Sequence, residues 1–259
     1  MDMLLQLDKD PAELELSLAQ QKDRRLGKRF ETLWAFWLEK STRFEVIVQN
    51  MPLRDGDRTL GELDFLVIDK KTGKYLHLEM AVKFYLGIGD TALHCNWHGP
   101  GLKDRLDKKV EHLKNKQSVI SDQPAVQGLL NDMKLRVDAR GVILKGRLFY
   151  PGERAMTAYR YTAFPVDASL EHPRSYWLPL HRFKSSHSDK QRFCPLVGYG
   201  WMAGIGQADM RDAMEKEELI EAIGYGKLRL PLYVAGGTEK DCVERFFIVS
   251  DDWSAAISG

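Results

Sequence analysis

Between Leu26 and Leu86 the hydrophobic pattern changes from the period of a helix to that of a strand. Leu26, Phe30, Leu33, Trp34, Trp37 and Leu38 recur about every 3.6 residues, so they share one helix face, and the helix is expected to end near Lys40 and Ser41. Lys28 and Thr32 fall away from that face, and Glu31 falls at its margin. From Phe44 the side chains alternate instead. FEVIVQ (Phe44–Gln49) is rich in β-branched residues, GELDFLVID (Gly61–Asp69) follows a polar turn at Asp55–Asp57, and KKTGK supplies a hairpin turn at Gly73. YLHLEMAVKFYL (Tyr75–Leu86) is the third and longest strand. The order is helix, strand, strand, strand.

The rest of the chain is coarser. Met1–Gln21 mixes Leu with acidic residues and is expected as a leading helix. After a glycine-rich loop, a helix is predicted over Leu102–Ser118, with Leu102, Leu106, Val110 and Leu113 buried and a basic exterior. A shorter helix is predicted over Ala125–Met133, a strand over Arg140–Tyr150, a helix over Asp209–Ile223 and a last strand over Val243–Val249. Tyr176–Phe183 and Arg229–Val234 read as strands, but each contains a proline, which confines it to an edge or irregular position. The class is α/β, a mixed central sheet flanked by helices. Residues 1–152 are expected as the core, and residues 153–259 as a C-terminal α+β extension of that sheet or a small companion domain.

A net charge of +1 over 259 residues argues against a protein that coats nucleic acid non-specifically, so any such contact must use a local patch. The three cysteines, Cys95, Cys194 and Cys242, are odd in number and far apart, which implies free thiols and a reducing compartment. The start MDMLLQLDKD lacks a basic leader, and no run of about 18 apolar residues occurs, so a cytoplasmic protein without membrane contact is expected. There is no Walker loop, G-x-S-x-G or HExxH, which argues against P-loop ATPase, serine hydrolase and zincin chemistry.

The chemistry concentrates in the second and third strands. Leu76, Leu78, Met80, Val82, Phe84 and Leu86 form an apolar face, and His77, Glu79, Ala81 and Lys83 lie on the other. Glu62 and Asp64 share a face with Leu66 and Ile68. Carboxylates on apolar strands are costly to bury unless paired or bound to metal. If the strands are antiparallel neighbours, Asp64 and Glu79 approach across the ladder and make an oxygen-rich site suited to magnesium or manganese rather than zinc. The alternative is that Glu62 and Asp64 face solvent at a strand end while Glu79 pairs with Lys83 or an arginine. Lys103, Arg105, Lys108 and Lys109 could meet a phosphate backbone; interspersed Asp104, Asp107 and Glu111 equally allow a solvated face with local ion pairs. His94, Cys95 and His98 lack a fourth ligand for zinc. Trp97, Tyr176, Trp177 and Trp201 are expected in packing rather than base stacking.

This order of elements, with GELDFL and a glutamate after the hairpin, resembles the restriction-endonuclease-like PD-(D/E)XK nuclease core. LGKRFETLWAFWL, GELDFLVID, HLEMAVKFYLG and DRLDKKVEHL together, over roughly residues 24–180, resemble the bacterial proteins grouped as domain of unknown function 1853 (DUF1853). The resemblance implies a metal-dependent endo- or exodeoxyribonuclease. Asp64 and Glu79 would hold Mg²⁺ or Mn²⁺, Glu31 would assist, Lys83 would position water, and DNA would be the partner, with RNA open. Ala81 stands where the nuclease motif has lysine. Lys83 lies about 13 Å along an ideal strand from Glu79, so it reaches the site only through a bend or bulge; Lys108 or Lys109 could substitute. The displaced lysine leaves open a non-catalytic nucleic-acid-binding or scaffold protein on the same fold, or a hydrolase of small phosphate esters. Oligomeric state is left open.

Overall fold

A computed structural model describes residues 2–152, 163–188, 190–204, 210, 213–238 and 244–257. The fold is a mixed α/β arrangement. Nine strands join in one mixed sheet, and seven α-helices accompany them among the described residues. The strands are β1 (Phe44–Asp55), β2 (Arg58–Asp69), β3 (Lys74–Gly87), β4 (Trp97–His98), β5 (Ala139–Pro151), β6 (Arg174–Pro179), β7 (Arg192–Pro195), β8 (Leu232–Gly237) and β9 (Glu244–Val249). Their order is β1-β2-β3-β5-β6-β9-β8-β7, with β4 paired to β3. The chain forms two compact units interleaved in sequence: residues 1–82 with 110–145, and residues 83–109 with 146–259.

The first unit opens with α1 (Asp2–Lys9), α2 (Ala12–Gln20) and α3 (Leu26–Lys40). The expected single leading helix is thus two, broken at Pro11, whose ring cannot continue a helix interior. α3 has the predicted bounds, but its buried face is Phe30, Ala35, Phe36 and Leu38. Trp34 and Trp37 are half-buried and stack edge-to-face with centroids 5.3 Å apart. β1 and β2 run antiparallel over a longer register than their apolar runs indicate. Between β2 and β3, Asp69 closes the hairpin: its main-chain oxygen accepts the Gly73 N–H at 2.7 Å, and its carboxylate binds Arg43 through two hydrogen bonds. Gly73 takes φ +68° there, a conformation open to glycine. Below the far end of this hairpin, Leu53, Leu63, Ile120, Val126 and Leu130 form a core cluster that includes α5 (Pro124–Asp132).

The helix predicted from Leu102 begins only at Leu106: α4 covers Leu106–His112. Leu102 has φ +62°, which no helix admits. At Leu113 the helix widens into a π turn, Leu113–Gln117, closed by Ser118 N–H to Leu113 O at 2.9 Å. Such turns alter the angular phase of the residues that follow.

In the second unit, β6 lies between β5 and β9, parallel to both. The expectation that proline would keep this strand at an edge is therefore overturned. Pro179 is its last residue, where no ladder donor is lost, and the chain from Leu180 to Ser186 is helical (α6) rather than extended. Pro231 likewise precedes β8, which pairs on both sides, with β7 and β9. α7 spans Lys216–Gly224, shorter than predicted. Its start is set by a capping box in which Glu215 N–H donates to Glu218, while Met214 bridges to Phe193 of β7. Asp209, Cys242 and Val243 lie outside the described residues. Cys95 and Cys194 are free thiols. Among the described residues no helix is long and apolar enough to cross a membrane.

Candidate functional site

The site lies in the first unit, where the ladder between β2 and β3 stops. The antiparallel register runs from Asp69↔Lys74 to Phe65↔Leu78; one step further would set Asp64 opposite Glu79. Instead of a main-chain partner, the Met80 N–H finds the Asp64 carboxylate, 2.9 Å from Oδ2. Asp64 is buried and Glu79 fully so, contrary to the solvent-facing alternative for Asp64. Glu62, two residues earlier on β2, is exposed and lies 3.5 Å from Lys28.

Glu79 is held by two residues that the sequence pattern did not single out. His77 Nε2 hydrogen-bonds Oε1 at 2.7 Å, and Gln117 Nε2 donates to Oε2 at 2.9 Å. His77 Nδ1 lies 3.3 Å from Ser121 Oγ. His77 shares a strand face with Glu79 by alternation, so that contact was legible. Gln117 depends on the π turn and a 38-residue separation, which no local pattern reports.

α3 brings Glu31 and Lys28 to the same neighbourhood. Lys28 Nζ lies 2.7 Å from Glu31 and 3.2 Å from Asn50 Oδ1. Burial works against the Lys28 ammonium, but the hydrogen bond and charge of Glu31, with Glu62, outweigh it and raise its pKa. Burial pushes the Asp64 carboxyl up to about 7, and the charges of Glu79 and Glu31 add to the rise; the Met80 N–H and Lys28 oppose it. A buried carboxyl raised partly by other carboxylates is short of positive charge.

Lys83 is in the second unit, where its Nζ lies 2.5 Å from Asp104, which also accepts from Tyr85. Of the basic residues considered for phosphate, Arg105 is bound bidentate to Asp107, at 2.6 and 2.8 Å. Lys103 precedes α4 rather than belonging to it and, like Lys108, is exposed. Lys109 has a partner already. His94 lies 2.5 Å from Asp167. Trp97, Tyr176 and Trp177 are buried, and Trp201 packs edge-on to Tyr233, in line with the packing expectation.

Residues 1–228 match the family described as Domain of unknown function (DUF1853). The chain belongs to the DUF1853 family. The matched span is longer than the roughly 24–180 that the sequence motifs mark. No curated protein and no solved structure matches the chain.

In this DUF1853 chain Asp64 and Glu79 are the residues that could hold a hard cation. Asp64 Oδ1 has no hydrogen-bond partner among the described residues, and each Glu79 oxygen keeps lone-pair capacity beyond its one hydrogen bond. Magnesium and manganese accept one or two carboxylates and complete their shell with water and phosphate oxygens. Among the described residues no group of three or more His, Cys, Asp or Glu side chains could hold a metal ion.

Proposed function

We propose that this DUF1853 chain is a metal-dependent phosphodiesterase of restriction-endonuclease-like, PD-(D/E)XK type, acting on DNA. The observation that carries the reading is the buried Asp64 carboxylate, next in register to Glu79, with one oxygen unpartnered among the described residues and its pKa raised to about 7. Asp64 and Glu79 would hold Mg²⁺ or Mn²⁺, with Glu31 assisting directly or through water. Such an ion, when bound, supplies Lewis-acid charge to a phosphoryl group and acidifies water. His77 and Gln117 orient Glu79, leaving its remaining lone pairs to the ion. Lys28 supplies an ammonium beside Glu31 and Glu62 that offsets phosphate charge. Lys83 can take that role only by leaving Asp104. In hydrolysis water adds to phosphorus, the bond to the sugar oxygen breaks, and that oxygen leaves with a proton.

Purified protein incubated with DNA and Mg²⁺ or Mn²⁺ should cleave it, and Asp64→Ala or Glu79→Ala should abolish cleavage. Cleavage unaffected by both substitutions overturns the assignment.

The Lys83–Asp104 ion pair favours a second reading, a nucleic-acid-binding or scaffold protein on the same fold that does not cut. DNA binding at low salt with no cleavage under any divalent ion would select it.

A further inference from the structure

One face of the sheet in the second unit collects two arginines and two hydroxyls and, among the described residues, no carboxylate. Alternation and register define it. Phe149 pairs with Ser175, Trp177 with Phe247, and Phe247 with Tyr233, so these side chains share a face. Arg147, two residues before Phe149, and Arg245, two before Phe247, lie on the same face. Their strands, β5 and β9, flank β6, so their Cα atoms are separated by about two strand spacings, roughly 10 Å. Two guanidinium groups cover that interval readily.

The rings behind them are fixed. Tyr233 stacks on Phe247 at 4.8 Å and meets Phe149 edge-on at 5.2 Å. This leaves the Tyr233 hydroxyl buried with no hydrogen-bond partner among the described residues. Arg245 approaches closely enough for its charge and a loose side-chain hydrogen bond to favour the ionised hydroxyl, yet no atom pair meets standard hydrogen-bond geometry. Arg147 Nη1 donates to the buried Ser175 Oγ at 3.0 Å, and the Ser175 hydroxyl proton has no acceptor among the described residues. Neither arginine is paired with a carboxylate among the described residues. Burial and the charge of Arg245 both lower the pKa of Arg147. An arginine cannot accept a hydrogen bond. Among the described residues the two guanidinium groups and the two hydroxyls therefore all lack the same thing, a negatively charged acceptor.

We propose that Arg147, Arg245, Ser175 and Tyr233 form a binding site for a phosphate monoester or inorganic phosphate dianion. Two cationic forks and two hydroxyl donors match a dianion with three or more acceptor oxygens better than a carboxylate with two. The site is independent of the carboxylates in the first unit and of the activity proposed for them.

The test is calorimetric titration of the full chain, at constant ionic strength, with sodium phosphate, a nucleoside 5′-monophosphate, and an oligonucleotide with or without a 5′-phosphate. Phosphate or the monoesters should bind, and Arg147→Gln and Arg245→Gln should each weaken binding at least tenfold. Tyr233→Phe removes only the unpartnered hydroxyl, so it should fold and still lose severalfold in affinity. A response to the free anion but not to the oligonucleotides assigns a small metabolite, and one to the 5′-phosphorylated strand assigns a nucleic-acid end. No binding beyond a chloride control, equal binding of the unphosphorylated strand, or wild-type affinity in Tyr233→Phe together with an arginine variant overturns the site.

Discussion

The Asp64 carboxylate accepts the main-chain N–H of Met80, 2.9 Å away, at the point where the ladder between β2 and β3 stops. One carboxylate thus replaces a strand partner and also faces Glu79. Asp64→Asn keeps an acceptor for Met80 and removes the charge, whereas Asp64→Ala leaves a buried N–H unpartnered. The alanine variant should therefore be less stable than the asparagine variant by about 1–3 kcal/mol in urea unfolding.

The Asp64 pKa, raised to about 7, fixes the sign of a pH dependence. The folded protein holds this proton more tightly than the unfolded chain, whose value is 3.8. The resulting stability is fully present below about pH 4 and is lost as pH rises through about 7. Relative to Asp64→Asn, the metal-free wild type should lose stability between these pH values and level off above them. A flat difference from pH 4 to 8 in urea titrations would show that Asp64 is not the group responsible.

A divalent ion must displace that proton. Mn²⁺ should raise the melting temperature at pH 8 and do little at pH 5, with apparent affinity falling about tenfold per pH unit below the Asp64 pKa. Asp64→Asn and Glu79→Gln should remove the effect; an equal rise in both variants would place the ion elsewhere.

Lys28 and Lys83 are separable by mutation. Lys28 stands with Glu31 and Glu62, whereas Lys83 is engaged by Asp104. If the chain cleaves DNA, Lys28→Ala should slow it at least tenfold and Lys83→Ala less than threefold. The reverse ranking would return the role to Lys83.

Gly146 has φ +140°, and a Cβ there would fall 1.6 Å from the Lys83 carbonyl oxygen. The obstacle is backbone, which cannot rotate away. Gly146→Ala should cost on the order of 3 kcal/mol or more in unfolding free energy, or block folding. A wild-type melting curve for this variant would contradict the close packing of β5 on β3.

Sequence by itself determined the bounds of α3, the existence of β1–β3 and the faces of β3, because period and alternation are properties of neighbouring residues. It also marked Asp64 and Glu79 as candidates, since carboxylates on apolar strands break that alternation visibly. Tertiary structure decided the rest. Gln117 reaches Glu79 through a π turn, Lys83 is claimed by Asp104, and Lys28 joins Glu31 and Glu62. The prolines that read as edge signals proved to stand at the last residue of β6 and just before β8, both inner strands. These outcomes rest on contacts between residues far apart in the chain, and on helix phase and strand ends that shift with packing. A local pattern carries no record of either.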